Sequence, residues 1–145
     1  MNQTSPVRPY CPGDEHAIAD LILSIQRGEF GMEITAEQQP DLADIAGFYQ
    51  RGAGNFWVAE VDGEVVGTIG LLDIGNGDAA LRKMFVAAGF RGREHGAASR
   101  LLDHLLDWAR TKGLRNIYLG TTDKFLAAHR FYEKNGFVEI RKADL

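Results

Sequence analysis

The sequence predicts a single α/β domain: a mixed sheet of about six strands, antiparallel in its N-terminal part and parallel further on, flanked by four helices. Three observations carry this expectation. The chain has 145 residues, the length of one domain with a sizeable core. Two short turns, Asp62-Gly63 and Gly75-Asn76-Gly77, separate runs of strand-like sequence in the first half. From Leu81 onward, strand and helix patterns alternate, which implies right-handed crossovers and parallel pairing.

Val7 to Tyr10 reads as a first strand, placed at an edge by its prolines. Pro12-Gly13-Asp14 is a turn, with Asp14 as an N-cap. Ile18, Leu21, Ile22 and Ile25 recur at helical spacing between Glu15 and Gln26, and Gly28 ends that helix. Residues 29–35 read equally as a connector packed by Phe30 and Met32, or as a substrate wall with Glu29 or Glu33 facing an amine. A second helix is expected from Asp41 to Tyr49. Strands follow at Asn55–Val61, Glu64–Leu72 and Ala79–Val86. Gly75 and Gly77 are no dinucleotide fingerprint, because no helix follows them. The third helix spans about His95 to Lys112. It buries Ala98, Leu101, Leu102, Leu105 and Ala109, and Gly113 caps it. Leu114–Leu119 is a strand, Lys124 to about Lys134 a helix capped by Thr122 or Asp123, and Phe137–Ile140 a last strand.

The formal net charge of −4 is a poor footprint for binding nucleic acid or anionic lipid. One cysteine, Cys11, cannot form an internal disulfide, so a reducing, cytoplasmic setting is expected. No apolar run approaches bilayer-spanning length, and no signal-peptide pattern opens the chain. With no Cys or His cluster at ligand spacing, no metal site is expected.

The chemistry concentrates in the loop Gly89-Phe90-Arg91-Gly92-Arg93-Glu94-His95-Gly96-Ala97-Ala98. It leaves an apolar strand and enters a helix whose first turn lacks bulk. Free N–H groups at such a helix start, beside Arg91 and Arg93, suit a phosphate or pyrophosphate. Near the end stands Phe131-Tyr132-Glu133-Lys134-Asn135-Gly136-Phe137. Together with Arg93-Glu94-His95-Gly96-Ala97-Ala98 and the strand Met84-Phe85-Val86, this resembles the GNAT N-acetyltransferase superfamily over nearly the whole chain.

The resemblance implies acetyl-CoA as cofactor. Backbone amides from Arg93 to Ser99, with Arg91 and Gly92, are then expected at the CoA pyrophosphate. Backbone groups of Met84, Phe85 and Val86 would pair with the pantetheine arm, where two parallel strands splay apart. Phe125, Ala128 and Phe131 would line the cofactor; at Phe125 many members carry an Asn. Tyr132 resembles the general acid that protonates the departing thiolate, and an amide such as that of Phe85 would serve the oxyanion. The acceptor would be a primary amine, on a small molecule or a peptide, attacking directly in a ternary complex. Glu29, Glu33, Asp73 and Asp78 are candidate bases. A homodimer would complete the last sheet edge if it is not left bare. The alternative is an acyl-CoA-binding sensor without turnover.

Overall fold

The computed structural model describes residues 6–91, 96–120 and 126–138; for 126–129 it describes the backbone alone. Within them a five-stranded sheet runs in sequence order. Its strands are β1 (Val7–Pro9), β2 (Asn55–Val61), β3 (Glu64–Gly75), β4 (Asp78–Val86) and β5 (Asn116–Tyr118). The first four pair antiparallel and β4 pairs parallel with β5. Helices α1 (Glu15–Gly28) and α2 (Ile45–Tyr49) cover one face, and α3 (Ala97–Thr111) and α4 (Leu126–Lys134) belong to the other.

Each face has its own core. On the α1/α2 face, Ile18, Ile22, Leu42, Ile45 and Tyr49 pack on Phe56 and Val58. On the opposite face, Leu101, Leu102 and Leu105 of α3 pack on Trp57, Ile69, Leu71 and Leu81. Trp57 and Trp108 meet edge to face there, with ring centroids 6.1 Å apart, and Trp108 Nε1 donates to the Ala53 carbonyl at 2.8 Å. Alternation along the strands sorts the two sets of side chains.

Local chemistry explains the element ends. Asp62 and Gly63 both adopt positive φ, 52° and 80°, as a two-residue hairpin turn with the sheet's own twist requires. Asn76 and Gly77 do the same one hairpin later, so β3 extends to Gly75, beyond the expected Leu72. The expected helix from Asp41 to Tyr49 is divided: a 3-10 turn holds Pro40–Leu42, and α2 starts at Ile45. Asp44 causes the break, because its carboxylate caps the new start by accepting the Gly47 N–H at 3.0 Å. Asp14 does not cap α1 with its side chain. Its carboxylate is taken by the Arg8 guanidinium, at 2.8 and 3.0 Å. Gly28 ends α1 as its last helical residue, and the chain turns at Gly31, φ 60°.

The expected sixth strand does not form at Phe137 and Val138, and residues 139–140 lie outside the described set. The Phe137 N–H instead bonds back to the Tyr132 carbonyl at 3.0 Å, closing α4. The expected capping residues Thr122 and Asp123 also lie outside the described residues.

Candidate active site

The parallel pair β4–β5 is short. Its register is Asp78↔Asn116, Ala79↔Ile117 and Ala80↔Tyr118, and it stops there. Beyond Ala80, the outer edge of Leu81–Val86 has no strand neighbour among the described residues. Strand alternation decides which groups face that open edge. The Ala87 N–H donates to Val66 O at 2.8 Å, so Ala87 and, two residues before it, Phe85 turn their backbone groups to β3. Met84 and Val86 turn theirs outward. The open edge therefore offers the amides of Met84 and Val86, whereas the Phe85 amide serves the ladder.

One residue is extra in β4. Thr68 pairs with Phe85 and Gly70 with Arg82, so Ile69 alone faces Lys83 and Met84. This β-bulge puts Lys83 at φ 54°, a conformation uncommon for a lysine. Two contacts hold it. Thr68 Oγ1 donates to the Lys83 carbonyl at 2.7 Å. The ammonium reaches across the α1/α2 face to Gln39 Oε1 and lies 3.9 Å from Asp41 Oδ2. Gln39 and Gln26 exchange two amide hydrogen bonds, and Tyr49 OH donates to Asp41 at 2.6 Å. These side chains are nearly closed to water: Lys83 is 12% exposed and Asp41 5%. Burial holds the Lys83 ammonium below the usual lysine range, partly offset by Asp41. Nothing in residue order singles out this cluster except two basic residues, Arg82 and Lys83, inside an apolar strand.

Tyr132 comes to β4 from α4. Its hydroxyl donates to Met84 Sδ at 3.3 Å, and its ring stands edge-on to Phe131 and Phe137 at 5.7 and 5.5 Å. Burial pushes its pKa up to about 12, which keeps the phenol protonated. Helix α3 begins close by. Gly96, at φ 63°, is its N-cap; a left-handed residue without a side chain leaves the first turn bare. Its carbonyl accepts the Arg100 N–H at 3.0 Å, so the amides of Ala97, Ala98 and Ser99 precede the first helical bond.

Arg91 is engaged. Its Nε donates to the Val86 carbonyl at 2.8 Å, and its two terminal nitrogens grip Glu29 at 2.7 and 2.9 Å. Glu29 thus holds the start of the loop that leads into α3; Phe30 is half-buried, and Glu33 is exposed in the segment after α1. Asp73 takes the N–H groups of Ala53 and Gly75, which hold its carboxyl below the usual range, and Asp78 accepts from Asn116. Asp73 is paired with Ala79, about 16 Å along the strand from Met84, too far to serve as its base. Gly92, Arg93, Glu94, His95 and Phe125 lie outside the described residues, as does the side chain of Ala128. Among the described residues no group of three His, Cys, Asp or Glu could hold a metal ion, and no helix is long and apolar enough to cross a membrane.

The model of the Acetyltransferase (GNAT) family matches residues 19–137. The chain belongs to the GNAT acetyltransferase family. A crystal structure of a GNAT-family acetyltransferase from Staphylococcus aureus Mu50 superposes with a TM-score of 0.92 and 39% identity, over 97% of this chain and 88% of that one. The uncharacterized N-acetyltransferase YjgM of Escherichia coli K12 is 30% identical over 97% of this chain and 88% of its own. The N-acetylaspartate synthetase of Danio rerio is 34% identical over 72% of this chain. This GNAT chain spans only 37% of that protein's length.

Proposed function

We propose that this chain moves an acetyl group from acetyl-CoA to a primary amine, by direct attack within a ternary complex. Acetyl-CoA supplies the activated acyl group as a thioester. Its fit rests on chain geometry. An extended pantetheine arm needs outward N–H and C=O groups with no strand in the way; Met84 and Val86 turn theirs that way, although the Val86 carbonyl already accepts from Arg91 Nε. A diphosphate needs unbonded amides, and those of Ala97, Ala98 and Ser99, at the positive end of α3, have no acceptor among the described residues. Gly92 to His95 join that cradle on the strength of the family motif. The Met84 N–H is the donor best directed to stabilise an oxyanion at the open edge. Tyr132 holds a proton that a departing thiolate can take up; its raised pKa keeps the phenol protonated until then while making it a weaker acid.

The observation that carries this reading is the Tyr132 hydroxyl lying against Met84, on the stretch of β4 that β5 leaves unpaired. The acceptor is a small amine or a peptide. A relative named for synthesising N-acetylaspartate makes amino acids the first acceptors to assay. The test is thiol release from acetyl-CoA with amine and peptide panels, wild type beside Tyr132→Phe. Turnover that falls by about 100-fold or more in the variant supports the reading. Cofactor binding without turnover on any acceptor, and no effect of the substitution, would establish a sensor instead.

A further inference from the structure

The bulge in β4 does more than turn the strand. Arg82 pairs across the sheet with Gly70, on the face where Phe56 and Tyr49 stand over that glycine. The extra residue puts Lys83 on the same face, reaching Gln39 and Asp41. Two cations thus share one short stretch, and the carboxylate within reach, Asp41, sits against Lys83 and Tyr49. Arg82 is left with an aromatic partner: its guanidinium carbon lies 5.6 Å from the Phe48 ring centroid. Among the described residues it has no carboxylate. Other described arginines do hold carboxylates: Arg8 holds Asp14 and Glu60, Arg91 grips Glu29 with two nitrogens, and Arg110 pairs with Asp107. Phe48 also lines a cavity of about 310 Å³ with Arg51, Gly52, Leu72 and Asp73. Asp73 is turned to backbone N–H groups there, and Arg51 is exposed.

On the α3/α4 face of the site Tyr132, Phe131 and Phe137 pack against one another and the core. Arg82 and Phe48 belong to the opposite, α1/α2 face of the same strand. We propose that Arg82, seated on Phe48, recognises a carboxylate carried by the acceptor, which makes the acceptor a small amine of the amino-acid class. A guanidinium fork meets a carboxylate through two parallel hydrogen bonds, and stacking on Phe48 holds the fork flat for it. This inference rests on the acetyl-transfer reading for its chemistry but on separate residues for its recognition.

The experiment compares amino acids with their C-terminal carboxamides as acceptors, for the wild-type chain, Arg82→Gln and Arg82→Lys. Wild type is expected to favour the free acids in kcat/KM by about tenfold or more, a preference that Arg82→Gln abolishes with the KM for acetyl-CoA unchanged. Arg82→Lys restores part of it. Calorimetric titration of the same amino acids into each protein with CoA present gives the second readout. Equal acid and amide rates in wild type, or a preference that survives Arg82→Gln in a folded protein, overturns the proposal. Tight, Arg82-dependent amino-acid binding with no turnover would sustain the carboxylate site and sink the transfer reading alone. No amino-acid binding to wild type would sink the site.

Discussion

Replacing Lys83 by methionine removes an ammonium from beneath the bulge and leaves the buried Asp41 carboxylate with the Tyr49 hydroxyl alone. At an effective dielectric constant of about 20, unit charges 3.9 Å apart attract by about 4 kcal/mol. Against that stands the desolvation of both groups, which is strong enough to hold the Lys83 ammonium below its ordinary range despite Asp41. The pair is therefore worth little net, while either charge alone is a liability. Lys83→Met is expected to destabilise the fold by about 2–4 kcal/mol, and Asp41→Asn by about 1–3 kcal/mol. The double variant should lie within about 1–2 kcal/mol of wild type, because the second substitution removes the charge stranded by the first. Urea unfolding at neutral pH, fitted with a common m-value, gives all four corners of the cycle. Single effects that add to within about 0.5 kcal/mol would refute the reasoning, since the two charges would then not feel each other across the α1/α2 face.

Other consequences follow from the same geometry. Tyr132→Phe should lower kcat by about 100-fold or more with little change in the KM for acetyl-CoA. Because the phenol acts protonated and its pKa is pushed up to about 12, wild-type activity should hold across neutral and mildly alkaline pH. The tyrosine's contribution should be lost only as pH rises through about 12; a pH–rate profile falling near 10 would argue against a buried acid. Gly70→Ala puts a Cβ 2.9 Å from Phe56 and 3.0 Å from Tyr49, and should destabilise by about 1–3 kcal/mol in thermal unfolding. Glu29→Gln should release Arg91 toward the diphosphate and tighten CoA binding up to about fivefold by calorimetry, within the reach of one surface ion pair.

The elements whose cause is local could be read from residue order. Asp62-Gly63 states its turn outright, and the apolar stripe of α3 buries Leu101, Leu102, Leu105 and Ala109 as its spacing requires. The strand β2 follows from its own composition at both ends. What escaped depends on partners far along the chain. Glu29 looked free to meet an amine, but Arg91, 62 residues away, takes it. Asp44 turned one expected helix into a turn and a short helix, because a capping side chain can act wherever the chain lets it reach an amide. The bulge has no signature at all: a lysine at positive φ looks like any lysine until Thr68, Gln39 and Asp41, from two other segments, are seen around it. The open edge of β4 was legible only through family resemblance, since no residue in Leu114–Leu119 announces that pairing stops at Tyr118.

The contact between Trp57 and Trp108 has an experimental use. The chain has two tryptophans, and both belong to the seam where α3 lies on the sheet. Its intrinsic emission therefore reports a single event, the seating or lifting of the helix whose first turn would grip the diphosphate. Rearrangements around Arg82 and Lys83, on the far side of the strands, should leave that signal dark and would need a label of their own.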